Sequence, residues 1–444
     1  MSRDRVMESK TIAGPASLTA TEAAALIAAG RLSSAELVQA CLDRIALREP
    51  VLRAWSYLDP EQAIQQARAR DAVLSTGPLH GIPIAVKDVI DASDMPTGMG
   101  SPIYDGYRPR ADAACVAVLR AAGAVILGKT VTAEFAGVSP GATTHPLAPD
   151  HTPGGSSSGS AAAVADYMVP VAFGTQTGGS ILRPAAFCGI VGFKPSFGTV
   201  SRAGLKLAAE SLDTIGLMAR DINDVALFWN TLVGREPGSL RSRDTPPRLL
   251  LFRSHHWGRA TADAVAALES AARDLQARGA VIEELPVPSG FAELSEARVI
   301  INSYERARAL VWESSHHADQ ISPAMSRTIA DGWSVSYEHY IGATRVAERW
   351  RLWLAGASDG RDGILTPATN GEAPKGLGST GDASFQEIWS LLRVPTITLP
   401  WTMGRSGLPV GVQFVGRHLA DEALLRLAKW VTQGDWISSI RKQR

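Results

Sequence analysis

The stretch Ile82-Pro83-Ile84-Ala85-Val86-Lys87, followed by Ala113 to Ala122 and then Ala124-Val125-Ile126-Leu127, decides the fold. An unbroken apolar run closed by a lysine predicts a short strand buried on both faces. The alanine-rich middle piece has the length of a helix, and the last piece predicts a second buried strand. Strand, helix, strand in this order implies an α/β protein with a largely buried mixed sheet.

Upstream, two helices open the chain. Thr19-Ala20-Thr21-Glu22 and Ser33-Ser34-Ala35-Glu36 are capping boxes, in which a hydroxyl and a carboxylate satisfy the free amides of a first turn. Gly30 is the expected stop between them. Asp59-Pro60 starts a third helix, expected to run to about Ser75. Downstream, Met168 to Phe173 reads as another strand. Residues 247 to 287 read as strand, helix, strand, and residues 290 to 358 as mostly helical, rich in Trp and Arg. Short strands return at Ile364-Leu365-Thr366-Pro367, Thr396 to Pro400 and Gly411 to Val415, before a closing helix. Between Gly141 and Gly204 the chain is dense in Gly, Ser, Thr and Ala. Apolar runs interrupt it, so a flexible linker is a poor reading; backbone packed close to a ligand is a better one.

The 444 residues suffice for a large core, and Lys plus Arg (44) balances Asp plus Glu (44). A chain without excess positive charge has no general pull toward nucleic acid or anionic lipid, and neither partner is expected. The cysteines Cys41, Cys115 and Cys188 are too few for a disulfide framework and fit a reducing cytoplasm. No cysteine pair has metal-ligand spacing, and no metal or cofactor is expected. The N-terminal MSRDRVMESK lacks an apolar leader core, and no apolar run reaches the ~20 residues that span a bilayer. A soluble intracellular protein is expected.

Two short motifs mislead. Gly123-Ala124-Val125-Ile126-Leu127-Gly128-Lys129-Thr130 matches a phosphate-binding loop, but its four middle residues are apolar and read as the strand itself. Gly155-Ser156-Ser157-Ser158-Gly159 matches the nucleophile elbow that would make Ser157 reactive. That elbow needs a strand before it, and Asp150-His151-Thr152-Pro153-Gly154 is a turn. The partner histidine would have to be His255, His256, His316, His317, His339 or His418, none in a recognisable context.

A longer pattern carries more weight. Gly154 to Ala165, then Gly174-Thr175-Gln176-Thr177-Gly178-Gly179-Ser180, then Arg183 to Gly189 and Val191-Gly192-Phe193-Lys194-Pro195 together resemble the amidase signature family. Leu79 to Asp88 resembles that family's lysine segment, and the likeness extends over roughly residues 17 to 430 through Pro395 to Pro400 and Gly407 to Gly411. The resemblance implies a single large α/β domain with a central mixed β-sheet covered by helices on both faces. Residues 17–75 would supply N-terminal helices, 76–245 and 360–435 the catalytic core, and 290–358 a variable helical segment near the substrate entrance.

By the same resemblance Ser180 is the acyl-accepting nucleophile, Ser156 a bridging serine held by a cis peptide, and Lys87 the base. The chemistry is consistent: a serine hydroxyl needs a neighbour to take its proton, and a lysine can do so only when burial keeps it neutral. Backbone amides of Gln176, Thr177, Gly178, Gly179 and Ser180 are placed to meet an oxyanion, with glycine admitting the substrate. Asp88 would raise a nearby lysine's pKa, but in an extended segment it faces away from Lys87. Many relatives have Asp where this chain has Gln176, so that charge is absent too. Each residue has an ordinary alternative: Ser180 as a helix cap, Ser156 as a turn serine, Lys87 as a surface lysine. Ser157, Ser158 and Ser160 read as structural hydrogen-bonders.

Two departures stand out. Ser158 replaces a glycine found in many relatives. Arg183 lies three residues after Ser180, as in a malonamidase-like branch where it binds a substrate carboxylate; bonding loop carbonyls is the other reading. Gly155 and Arg183 are thus candidate substrate-binding residues. The function implied is hydrolysis of linear amides, extending to esters, aryl amides and carbamates, on a small-molecule substrate; a homodimer is compatible with the chain. The alternatives are a glutaminase-type subunit of a tRNA-dependent amidotransferase and a non-catalytic binding module.

Overall fold

A computed structural model describes residues 14–75, 77–236, 238 and 240–433. The N-terminal decapeptide, read above for a leader, lies outside them. The strands are β1 (Trp55–Leu58), β2 (Pro83–Lys87), β3 (Val125–Thr130), β4 (Val171–Gln176), β5 (Val191–Lys194), β6 (Thr214–Ala219), β7 (Arg248–Leu251), β8 (Val281–Glu284), β9 (Gly363–Pro367), β10 (Thr396–Met403) and β11 (Pro409–Val415). The helices are α1 (Ala20–Ala28), α2 (Ser34–Leu52), α3 (Pro60–Asp71), α4 (Ala114–Ala121), α5 (Ser158–Ala165), α6 (Leu182–Phe187), α7 (Ile222–Leu232), α8 (Ala262–Ala277), α9 (Glu293–Ala309), α10 (Val311–His316), α11 (Pro323–Ser334), α12 (Tyr337–Ala357), α13 (Glu387–Leu391) and α14 (Asp421–Val431).

All eleven strands form one sheet in the order β1-β3-β2-β4-β6-β5-β10-β11-β9-β7-β8. β2 runs parallel to β3 and β4, and β7 parallel to β8 and β9; the remaining pairs are antiparallel. The sheet is therefore mixed, as expected. Strand alternation sorts its side chains onto two faces. Ile84, Val86, Val171 and Phe173 enter one apolar cluster with residues of α1, α4, α7 and α14. Ala85 and Ala172 enter another with residues of α2, α3 and α5. α9 and α12 pack with α13 in a third cluster, where Trp350 and Trp353 lie 4.9 and 5.5 Å from the Phe291 ring. Trp350 is core and Trp353 is partly buried against it, whereas Trp333 is exposed.

Both capping boxes form at Thr19/Glu22 and Ser33/Glu36, and Gly30 takes a positive φ of 65° after α1. α3 stops at Asp71, short of Ser75, because the Asp71 carboxylate turns back to accept the Ser34 and Ala35 amides at 2.7 and 2.9 Å. β4 starts three residues later than expected. Tyr167 leaves α5 with a φ of 61°, and Met168 N–H returns to the Ala163 carbonyl, so Met168 belongs to the turn. β4 then continues through Gln176, and β3 through Thr130. No helix among the described residues is long and apolar enough to cross a membrane.

Candidate active site

Lys87 ends β2 and is fully buried. Alternation places it with Ala85 on the α5 face and Asp88 on the other. Its Nζ donates to Ser156 Oγ at 2.7 Å and to Thr175 Oγ1 at 2.8 Å. Burial lowers the amine to about 7, with Asp213 opposing the shift and Arg306 adding to it. On the opposite face Asp88 pairs with Lys129 Nζ at 2.9 Å and accepts the Gly98 amide. The objection raised by Asp88 is thereby met, and Lys87 is not a surface lysine.

The turn before α5 brings Ser156 to Lys87. The Gly155–Ser156 peptide bond is cis. The carbonyls flanking it are both held, Gly155 O by Arg183 Nη2 at 2.7 Å and Ser156 O by Ala133 N–H at 3.1 Å. α5 itself is made of small buried residues, and Gly159 is needed there: a Cβ would lie 2.2 Å from the Ala54 carbonyl oxygen and 2.5 Å from Val131 N. Ser157 Oγ bridges the Thr175 backbone, Ser158 Oγ bonds Val131 O, and Ser160 Oγ bonds Phe173 O at 2.8 Å. These three serines fasten α5 to β3 and β4, as expected of structural hydrogen-bonders.

The loop between β4 and α6 carries Ser180. Ser157 N–H donates to the Ser180 carbonyl at 3.3 Å, which sets the two serine segments side by side. The first amides of α6, those of Ile181 and Leu182, donate to Gln176 Oε1 at 3.0 and 3.1 Å. Gln176 therefore does the capping that might be assigned to Ser180. Ser180 is 7% exposed, against 0% for Lys87 and Ser156, so it is the reachable member of the three. The amides of Thr177, Gly178, Gly179 and Ser180 have no recorded acceptor among the described residues. Gln176 is placed differently, as the last residue of β4 in register with Thr214.

Side chains from distant segments brace this loop. Thr177 Oγ1 donates to Asp213 Oδ1 at 2.5 Å, and Ser390 Oγ to the Gly178 carbonyl at 3.1 Å. A Cβ on Gly179 would meet Gln386 Oε1 at 2.8 Å, whereas one on Gly178 would meet nothing within 4 Å. Gly179 is thus closely approached by the Gln386 side chain, and Gly178 leaves open space beside the free amides.

Residues 36–425 match the family model described as Amidase. The chain is 34% identical over 481 residues to a glutamyl-tRNA(Gln) amidotransferase subunit of Chloroflexus aurantiacus, covering 94% of this chain and 98% of that one. It also superposes on a crystal structure of an amidase with a TM-score of 0.85 and 31% identity, over 93% of this chain and 99% of that one. Native peptide amidase from Stenotrophomonas maltophilia gives a TM-score of 0.81 and 31% identity over 94% and 96% of the two chains. The chain belongs to the amidase signature family.

For a member of this family, the misleading motifs are accounted for. Val125–Thr130 is strand β3, and its Lys129 is buried in an ion pair, not raised over a phosphate. His255 and His256 bond Ser295, and His316 bonds the Trp312 carbonyl, so none of these reaches Ser157. Arg183 Nη1 donates to Gly381 O, and Nη2 to Gly155 O and Thr380 Oγ1; burial lowers its pKa to about 10. Of the two readings of Arg183, this geometry supports the bonding of loop carbonyls. Gly155 is packed against Thr380, 2.6 Å from where a Cβ would sit. No group of three or more His, Cys, Asp or Glu among the described residues is placed to hold a metal ion. Thr175, Asp213, Arg306, Gln386 and Ser390 were not singled out from sequence. All but Thr175 arrive from outside the glycine-rich segment, and no local pattern announces them.

Proposed function

We propose that this amidase hydrolyses linear amides through an acyl-enzyme on Ser180, with Ser156 carrying the proton and Lys87 as the base. One observation carries the reading: a buried amine brought near neutrality lies 2.7 Å from Ser156 Oγ, beside a loop with open amides. Neutral Lys87 takes the Ser156 proton as Ser156 takes that of Ser180. Ser180 Oγ then bonds the carbonyl carbon, and the amides of Thr177 to Ser180 receive the negative oxygen. Ser156 next donates its proton to the departing nitrogen, drawing on Lys87. Water enters by the reverse relay and releases the acid. Esters, aryl amides and carbamates present the same carbonyl to the same groups and are included in the proposal. The buried thiols of Cys41, Cys115 and Cys188, none of them in a disulfide, support work in a reducing cytoplasm.

The likeness to a glutamyl-tRNA(Gln) amidotransferase component favours a second reading, a glutaminase-type subunit that works with partner chains. The purified chain separates the two. We expect a lone particle on gel filtration that turns over a simple amide and gains the mass of a fluorophosphonate at Ser180. Ser180→Ala should abolish both turnover and labelling. Near-full turnover of that variant defeats the acyl-enzyme; turnover only with added partner chains favours the second reading.

A further inference from the structure

Asp213 and Thr177 leave the sheet at the same point. Thr214 opens β6 opposite Gln176, which closes β4, so Asp213 and Thr177 are the residues just beyond a paired end. Asp213 is buried, and its Oδ1 accepts the Thr177 hydroxyl at 2.5 Å. Oδ2 accepts the Ala208 and Ala209 amides at 2.5 and 3.1 Å, while the Asp213 amide donates to the Ala209 carbonyl at 2.9 Å. The carboxylate is thus held by its own turn as well as by Thr177.

The side chains that brace the Ser180 loop differ in charge. Ser390 on the Gly178 carbonyl and Gln386 against Gly179 are neutral. Asp213 brings a carboxylate, and Thr177, which it holds, begins the run of open amides. The same carboxylate acts on the other half of the site. Lys87 Nζ bonds Ser156 and Thr175, and Asp213 acts on it from beyond hydrogen-bond range. Burial lowers the Lys87 amine, Asp213 opposes that shift, and Arg306 adds to it. Burial also lowers Arg306, which Asp213 attracts, Arg298 repels and Glu134 attracts. A carboxylate in contact with Lys87 would favour the ammonium, which cannot take a proton. One held at a distance limits the fall instead, and a base poised near the working pH is stronger than one pushed far below it.

We propose that Asp213 is a positioning residue for acyl transfer, holding the oxyanion loop through Thr177 and acting by its charge on the Lys87–Ser156 relay. This rests on the acyl-enzyme reading above. It joins the two halves of the reaction, the receipt of negative charge and the movement of the proton, in one carboxylate.

The test follows kcat and kcat/KM for butyramide from about pH 5 to 10. Asp213→Asn should move the acidic limb down by about half a unit or more, because the anion that favours the ammonium is gone. Its plateau should fall about tenfold or more, since an amide nitrogen cannot accept the Ala208 and Ala209 amides and the anchor of Thr177 loosens. Thr177→Val should lower kcat and kcat/KM together by about tenfold with the limb in its wild-type place, and Thr177→Ser should recover most of that loss. A purely structural role for Asp213 would leave the limb where it is. A limb that stays or rises in Asp213→Asn, or a wild-type plateau in Thr177→Val, overturns the proposal while leaving the acyl-enzyme intact. If Asp213→Asn does not fold, the Thr177 pair decides alone, and equal losses in Thr177→Val and Thr177→Ser overturn the proposal. In the wild type, absence of both turnover and a fluorophosphonate adduct at Ser180 defeats the acyl-enzyme reading, and this inference with it.

Discussion

Lys87 and Lys129 stand near the ends of adjacent parallel strands, Lys129 opposite Val86 and Lys87 opposite Thr130. Both are fully buried, and burial lowers the pKa of both. Their partners differ because they point to opposite faces of the sheet. Lys87 meets two hydroxyls, of Ser156 and Thr175. Lys129 meets the Asp88 carboxylate and Thr97 Oγ1, and Asp88 opposes its shift. Burial alone therefore would not suit an amine to the proposed role of base. The amine must also lack a paired carboxylate, and here a one-residue difference in strand parity decides that.

The largest expected effect separates the two lysines. Lys87→Ala should lower kcat by ~1,000-fold or more while Ser180 remains reachable, because the proton acceptor is gone but the fold's ion pair is not. The double variant Asp88→Asn/Lys129→Met should retain most of the wild-type kcat on the same amide. Equal losses in the two proteins would break the comparison.

Stability should sort them the other way. Asp88→Asn leaves a buried ammonium without its carboxylate and should cost about 3 kcal/mol, read as a lower denaturant midpoint. Adding Lys129→Met removes the orphaned charge, so the double variant should be more stable than Asp88→Asn alone. The Thr97 hydroxyl still loses the donor that Lys129 supplied, so recovery should be incomplete. A double variant no better than the single would mean that Lys129 is not charged in the folded protein.

The lysine and serine segments were legible because their information is local. An apolar run ending in Lys87 forces burial, and a run of small residues from Ser156 to Ala165 fits only where backbone packs closely. The same locality explains the capping boxes at Thr19 and Ser33. β5 and β6 were not anticipated: Val191-Gly192-Phe193-Lys194 and Thr214-Ile215-Gly216-Leu217 are short and carry glycine, and sheet pairing over long separations makes them strands. The braces of the Ser180 loop lay beyond reach for a related reason. Gln386 and Ser390 come from more than 200 residues downstream, and their use depends on where β9 and α13 dock. Arg183 shows the limit most directly: its position in the motif could be read, but the carbonyls that occupy its donors could not.

The smallest effect sharpens the comparison without harming either lysine. Activity should require the unprotonated Lys87 amine, whose pKa is lowered to about 7. kcat/KM on a neutral amide should then be level above that pH and fall about tenfold per unit below it. Asp88→Asn should leave the midpoint in place, since Asp213 and Arg306, not Asp88, are the charges acting on Lys87. Arg306→Met should move the midpoint upward, because removing a nearby cation makes the ammonium easier to keep. A midpoint near the ordinary lysine value, above 10, would mean that burial does not free the Lys87 amine of its proton, and the distinction between the two faces of the sheet would fail.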